Sequence, residues 1–573
     1  MPLPNIYLSE FKKVARGAFA RWNREPTSPS CGSFDRAYWG WKYKDFSDAT
    51  LQYAVILTVE YSISAGLTSV IPSLLENYVH YCRKIQLKDG SFDQCYPNEK
   101  TPGVVYDILS ALIYVRNSSY LASRQLQEEL DGIIDRAAGF VLRTDEKHGA
   151  IANHIARYAY ELFYYFEYSK DEKARRKGEE YLERLISLFD EEEGWFQEYH
   201  GPDPGYQTFT MRYLTKCAVL LDRPELWTYL QKSADFMEKV LMPDGSVHPL
   251  LGTRSTALLY PSSFEVLASR EAKYHGLAAR VRHAWELGLV PLPSWLDFDN
   301  AIRLADDARE AAEAYASGAG QPDSREGEGE EVISGHSPEA GETAPPFPDA
   351  QVRFHLPHAG ILVIRRRHYV IYLGSSLGGV VVVYGRQGDA WRLLYEDSGY
   401  LLFPADTGQA WISRLPQSGF LAEAASDRFV IRANFFQSRH EEVTPGRFLV
   451  LRLLNLTLLR SRWLGDWFRK LVVGRLMLAR KSLPLSLRRE IILGEEEISV
   501  CDRIEDGRRN LSPARRGRLF RGRRLTGIHM ASSRYFQEQE LAQLPLGWLE
   551  EVAWTETAAA SKEIAIKVSP NKF

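Results

Sequence analysis

The chain has 573 residues, which at ~150 residues per domain means roughly two to four folding units. Hydrophobic residues make up 45% and charged residues 25%, ordinary for a globular protein, and 71 Lys+Arg against 74 Asp+Glu leave a net charge of -3, which argues against nucleic acid as a partner. The aromatic share stands out: 30 Tyr, 26 Phe and 13 Trp make 12%, and flat rings with polar edges line sugar clefts as well as fill helical cores.

The five cysteines, Cys31, Cys82, Cys95, Cys217 and Cys501, are odd in number and lack CxxC or Cys/His spacing. That predicts neither a disulfide framework nor a zinc site, and fits a reduced compartment. Charges at Glu10, Lys12, Lys13 and Arg16 interrupt the N-terminal segment, and no run of ~18 uncharged apolar residues follows anywhere. The expectation is a cytoplasmic protein, membrane-peripheral at most.

Residues 1–305 alternate helix-like apolar runs with glycine turns that form an internal repeat. The copies start CGSFD at Cys31, DGSFD at Asp89, HGAIA at His148, EGWFQ at Glu193 and DGSVH at Asp244. Their marker glycines, Gly32, Gly90, Gly149, Gly194 and Gly245, recur about 45 to 60 residues apart, the length of a helical hairpin with its connections. Hairpins of this length with polar and aromatic loops at one end predict an N-terminal incomplete α/α toroid with a cleft at that end, an open helical scaffold being the alternative.

Residues 306–348 are acidic and rich in Gly, Ser and Pro, which predicts a linker. From 349 to 573 the apolar period changes to two, with β-branched and aromatic runs between glycines, and the expected fold is a C-terminal antiparallel β-sandwich. Within it, Arg447–Glu490 forms a basic amphipathic insertion whose eleven Lys and Arg face only Asp466 and Glu490. Either its arginine stems cover core, or residues 447–490 meet an anionic partner, a polysaccharide or a membrane surface. A second basic run starts at Arg508.

Asn153-His154 falls just ahead of the apolar run IARYAYELFYYF, and in the next repeat Tyr206 and Tyr213 follow Gly205 at the equivalent turn-to-helix position. With toroid, linker and β domain in that order, an Asn-His pair and a Tyr one repeat later, the chain resembles the heparinase II/III-like family of polysaccharide lyases and its alginate-lyase relatives. The resemblance implies β-elimination on an acidic, uronic-acid-containing polysaccharide, in its biosynthesis or turnover: the C5 proton is removed and the glycosidic oxygen leaves C4. It implies Asn153, His154 and Tyr206 as catalytic residues. Asn153 and His154, with a cation such as Arg212 or Arg254, would neutralise the uronate, and Tyr206 would carry the proton. Tyr199, Trp195 and Arg386 join Arg212 and Arg254 as expected substrate contacts.

No cofactor and no metal are expected. Members of that family bring a His-x-His segment from the β domain, whereas the matching stretch here, GGVVVVYGRQGDAW, offers Tyr384, Arg386 and Asp389 without histidine. His355, His358 and His368 fit no ligand spacing and belong at strand ends or on the surface.

Three plainer readings stay open. Asn153 is a good helix N-cap, and a Tyr after a Gly turn commonly packs with its hydroxyl at the rim. An inverting glycoside hydrolase would need two separated carboxylates, for which Asp35 with Asp93, or Glu198 with Asp203, are candidates, although Asp in GSFD also forms turns. A glycan-binding or assembly protein would keep the body without turnover. Walker A, Rossmann and HExxH patterns are absent.

Overall fold

A computed structural model describes residues 5–94, 101–145, 151–318, 351–388, 390–403, 411–414, 417–425, 427–437, 444–461, 463–465, 467–468, 482–506, 518–522, 549–552 and 560–568. Gly149, Cys95, Asp389 and most of the basic run from Arg508 lie outside the described residues. The N-terminal repeats are helical hairpins. After α1 (Ile6–Arg21) and the short α2 (Arg36–Trp39) come α3 (Ala54–Ser64) with α4 (Ile71–Ile85), α5 (Pro102–Arg116) with α6 (Arg124–Leu142), and α7 (Ala152–Ser169) with α8 (Glu172–Ile186). A small hairpin, β1 (Phe189–Asp190) and β2 (Trp195–Phe196), precedes α9 (Pro204–Leu221) with α10 (Pro224–Val240), α11 (Ser262–Arg270) with α12 (His275–Glu286), and α13 (Phe298–Gly318).

The two members of each hairpin differ in sequence because they differ in surroundings. In α5 (PGVVYDILSALIYVR) almost every residue is buried, as a helix apolar all round must be. In α8 only Ala174, Gly178, Tyr181, Leu182 and Leu185 are buried, one stripe on an otherwise charged helix. Helices α3, α5, α7, α9, α11 and α13 pack side by side as the inner ring of the toroid, and α13 returns to pack on α1 and α3.

The marker glycines have a common task. Gly32, Gly90, Gly194 and Gly245 press against the backbones of α4, α6, α10 and α12, at Asn77, Arg136, Lys232 and Arg280. At Gly90, φ is +87° and a Cβ would overlap the carbonyl of Arg136, so both the dihedral and the contact demand glycine.

The segment expected to be linker from residue 306 is helical as far as Gly318. Its acidic residues are buried counter-charges: Asp306 and Asp307 are 2% and 0% exposed, and both bind Arg212 of α9. Composition alone cannot separate an acidic helix that docks on an arginine from a solvated linker.

The β domain begins with a five-stranded antiparallel sheet in sequential order, β3 (Val352–Leu356), β4 (Ile361–Arg365), β5 (Tyr369–Gly374), β6 (Val380–Gln387) and β7 (Ala390–Asp397). A second sheet holds β8 (Tyr400–Phe403), β9 (Trp411–Ile412), β10 (Phe420–Ala425), β11 (Arg428–Gln437), β12 (Ser482–Leu493), β13 (Glu497–Asp506), β14 (Arg518–Gly522), β15 (Leu549–Val552) and β16 (Ala560–Lys567). Its order is β15-β14-β8-β9-β11-β12-β13-β16, with β10 beside β11. Ile371, Leu373, Val381 and Val383 of the first sheet pack on Ile431, Ile491 and Val500 of the second, which makes a sandwich. The other face of the first sheet, with Val363, Tyr372, Val382 and Tyr384, joins the core of the helical domain. A sheet covered on both sides explains why β4 and β5 are buried at every residue, where a period of two predicts one wet face.

Between β11 and β12 the chain forms α14 (Pro445–Leu456), none of whose residues is buried. At the far end of the same basic stretch, Arg489 is a core residue: fully buried, it binds Asp502 at 2.7 Å and Asp397 at 3.0 Å. No helix among the described residues is long and apolar enough to cross a membrane.

Gly90→Ala is expected to lower unfolding stability by about 2–4 kcal/mol, because it adds dihedral strain to an overlap with backbone that cannot yield. Gly17→Ala in α1, where a Cβ meets nothing within 4 Å, should be neutral or stabilising by up to about 1 kcal/mol. Urea titrations of both variants check the contrast.

Candidate functional site

The third and fourth repeats meet where α7 and α9 begin. Ile151 bridges to Glu198 in antiparallel fashion and Ala152 N–H donates to Gln197 O, so the entry to α7 lies along the Gln197–Glu198 strand edge. Asp203 caps α9 by accepting from Tyr206 N–H at 3.1 Å, with Pro204 at the first helical position. Its second oxygen accepts from Arg254 N–H at 2.8 Å. A Cβ on Gly252 would overlap that carboxylate and one on Gly205 would overlap Thr256, so both glycines are needed to bring the Gly252–Thr256 loop against α9.

This arrangement organises three side chains and one backbone N–H around one buried carboxylate. Glu198, 1% exposed, accepts from Asn153 N–H at 2.8 Å with one oxygen and from Arg254 Nη1 at 3.2 Å with the other. The Arg254 guanidinium lies 3.6 Å from the centroid of the Tyr206 ring and 5.4 Å from that of Tyr199. Burial pushes the Glu198 carboxyl up to about 7 against the pull of Arg254 and the Asn153 N–H. Burial also works against the charge on Arg254, but Tyr206, Glu198, Tyr199 and Asp203 outweigh it and hold the guanidinium firmly protonated. Two non-glycine residues beside the pair adopt left-handed backbone, Tyr199 at φ 62° and Ser255 at φ 56°. Strain of this kind is stored where surrounding structure over-determines the backbone.

Of the residues expected from sequence, Asn153, Tyr199, Tyr206 and Arg254 are thus linked through Glu198. Asn153 is not the N-cap, which is Ile151; it sits in the first turn of α7, and its Oδ1 is buried without a hydrogen-bond partner among the described residues. His154, the next residue, is half-buried with its ring 6.0 Å from that of Tyr158.

Three expected substrate contacts are placed elsewhere. Arg212 is sealed in the helical core by Asp306 at 2.8 Å, Glu310 at 2.9 Å and Asp307 at 3.1 Å, and a guanidinium committed to three carboxylates cannot meet a uronate. Trp195 is buried under the β1–β2 turn with its indole N–H donated to Glu193 at 2.9 Å. Arg386 lies near the end of β6, opposite Trp391 of β7. Tyr213, the second tyrosine of α9, is buried beside Tyr160 and Phe209.

Three residues beside Asn153, Tyr199, Tyr206 and Arg254 have no such role assigned by the sequence. In the sequence Glu198 is a candidate only as half of a hydrolase pair, and nothing local in EYHGPDPGY marks it as the bridge to Arg254. His200 is exposed on the turn between Tyr199 and Gly201, its N–H donated to Glu198 O at 2.9 Å. From the β domain the contribution is Arg414, just after β9. Buried at 3% exposure, it donates to Ser255 Oγ at 2.8 Å and to the carbonyls of Pro249 and Leu250 at 3.1 and 3.2 Å, behind the Arg254 loop. Burial pushes this guanidinium down to about 10 against the charge of Asp203.

Among the described residues no group of three or more His, Cys, Asp or Glu could hold a metal ion. His358 seats on the helical domain, its ring 2.7 Å from Asp190 and its N–H donated to Glu193 at 2.7 Å, while His355 is exposed on β3.

No family model matches the chain, and no curated protein matches it. Among solved structures, it is similar to chondroitin AC lyase of Streptomyces coelicolor A3, at 12% identity and a TM-score of 0.45 over 90% of this chain and 67% of that one. It is also similar to a heparinase III at 11% identity and 0.41 over 89% and 71%, and to heparan sulfate lyase of Pedobacter heparinus at 12% and 0.40 over 87% and 68%. At such identities the likeness is one of fold.

The Glu198 carboxyl holds its proton more tightly in the folded chain than in the unfolded one. Its contribution to stability is therefore complete below the ordinary carboxylate range and is given up as pH rises through about 7. Between these limits Glu198→Gln is expected to lose stability less steeply with pH than the parent chain. Urea midpoints taken across that window check this, and parallel curves would assign the carboxyl an ordinary affinity for its proton.

Proposed function

We propose that the chain is a polysaccharide lyase-like enzyme acting on an acidic, uronic-acid-containing polysaccharide by β-elimination, with the reaction centred on Tyr206. The observation that carries the proposal is the Arg254 guanidinium, lying 3.6 Å over the Tyr206 ring and paired with buried Glu198. A fixed positive charge beside the phenol offsets the negative charge that its oxygen carries while it passes a proton between substrate atoms.

In the proposed reaction the Tyr206 oxygen takes the proton from C5 of the uronate. The electron pair left on C5 is delocalised into the adjoining carboxylate, whose charge is offset by the Asn153 amide and by His154. The C4–O bond then breaks, C4=C5 forms, and the departing glycosidic oxygen receives a proton from Tyr206. Glu198 takes no proton in this scheme. It positions Arg254 and the first turn of α7 together, and Arg414 braces the loop from the β domain.

The hydrolase alternative is the weaker reading. Asp203 is committed to the N–H groups of Tyr206 and Arg254, and Glu198 to Asn153 and Arg254. Asp35 is fully buried, caps α2 and pairs with Lys44 at 2.8 Å. An inverting pair needs two carboxyl groups facing a water and a sugar between them.

Incubation with a panel of uronic-acid polymers, with ultraviolet absorbance of the unsaturated product and reducing ends followed together, tests the reading. Both should rise; reducing ends alone would mean a hydrolase, and neither would mean a binding protein. Tyr206→Phe should keep the fold and lower turnover by ~10²-fold or more, the scale of a lost acid/base group. Unchanged turnover in that variant would move the role to Tyr199.

A further inference from the structure

Helix α14 is a misfit in a water-facing position. Its sequence, PGRFLVLRLLNL, is dominated by large apolar residues, yet Leu449, Val450 and Leu453 are 58%, 56% and 55% exposed. Leu449, Leu453 and Leu456 follow the spacing of one helical face, with Phe448 and Val450 on its flanks. The chain after the helix continues the pattern with exposed Leu458, Trp463 at 75% and Trp467 at 54%. Arg452 pairs with Asp45 and so sets α14 beside a loop of the helical domain that presents Trp41 and Tyr43, 59% and 81% exposed, their rings stacked at 6.4 Å. Two domains thus bring apolar and aromatic side chains to one surface.

The charge on this element has one sign. From Pro445 to Gly465 the sequence holds Arg447, Arg452, Arg460 and Arg462 and no acidic residue. Onward to Lys481, in sequence that lies outside the described residues for the most part, five further cations face Asp466 alone.

We infer that α14, with Trp463, Trp467 and the Trp41–Tyr43 loop, is an interfacial element that binds the surface of an anionic lipid bilayer. An aliphatic centre with tryptophans at the edge and a predominantly cationic fringe is the composition of helices that lie in the headgroup layer, and a helix of this length cannot span. A hydrated acidic polysaccharide would satisfy the arginines but leave the Leu449–Leu453–Leu456 face in water. A second copy of the chain would bring like charges together across a two-fold axis. The inference does not rest on the lyase reading, because no residue of the Glu198 site takes part.

The test is flotation of the full chain with vesicles of phosphatidylcholine alone and of phosphatidylcholine mixed with phosphatidylglycerol, at low and high salt. Binding is expected on the mixed vesicles, weaker at high salt and weaker still on the neutral ones. Leu449→Asp with Leu453→Asp should lower partitioning by about tenfold or more, since each removes an inserted side chain and adds a repelled charge. The same variant should keep its melting temperature, because these side chains bury nothing in the fold. Trp463→Ser with Trp467→Ser should weaken partitioning independently. The inference is overturned if the chain fails to float with anionic vesicles at low salt, or if the aspartate variant floats as well as the parent. It is equally overturned if the aspartates instead abolish a dimer seen by light scattering, or retention on an acidic-polysaccharide column, in a chain that does not float.

Discussion

The helical ring is held shut by charge buried among its inner helices. Arg212 of α9 is bound by Asp306, Asp307 and Glu310 of α13, and Asp107 of α5 is bound by Arg157 of α7 at 2.6 Å and Arg303 of α13 at 2.9 Å. Tyr53 adds a hydrogen bond to Asp306 at 2.7 Å from the other side of the closure. Four inner helices are tied in this way, and withdrawing one partner from such a buried set costs ~3–5 kcal/mol because the remaining charge stays out of water. The position of Tyr206 follows from this arrangement, since it lies on the first turn of the helix that Arg212 anchors further along.

The same network explains which parts of the fold were legible in the sequence. The glycine turns were legible because Gly32, Gly90, Gly194 and Gly245 each meet a local requirement, a positive φ pressed against the next outer helix, that the sequence records directly. Arg212 and the start of α13 were not. An arginine two turns into an apolar helix reads equally as a ligand contact or as a core ion, and LADDAREAAEAYASG reads as a solvated linker unless its partner is known. Each residue misled because the other was missing, and such pairs, far apart in sequence, leave no periodic trace. The β strands were legible as strands, but the sheet's second buried face depends on a domain contact that no run of valines announces.

The candidate site divides along the same line. Asn153 and Tyr206 stand out because equivalent turns in adjacent repeats carry them, and Arg254 because a cation was wanted nearby. What joins them is Glu198, and its importance lies in a geometry of two oxygens and two partners from different repeats. Arg414 is harder still to anticipate. It gives the β domain a hold on the loop that carries Arg254 through the Ser255 hydroxyl and backbone carbonyls, and the carbonyls have no sequence identity to detect. The stretch that resembles the family's His-x-His segment has no histidine, and the link from the β domain to this loop is an arginine, a mechanical one.

The closure of the ring also bears on how the chain is made. Tyr7 donates to Glu265 across 258 residues of sequence, and Tyr53 reaches Asp306 across 253. Neither partner exists while the first helices leave the ribosome, and at ordinary elongation rates the wait is roughly ten to fifty seconds. During that interval α1 and α3 present faces that end up wholly covered, among them Tyr7, Ala15, Val55 and Leu57. A nascent toroid is an open arc with two uncovered ends, and the faces of its first helices that α13 covers wait for that helix to complete the circle.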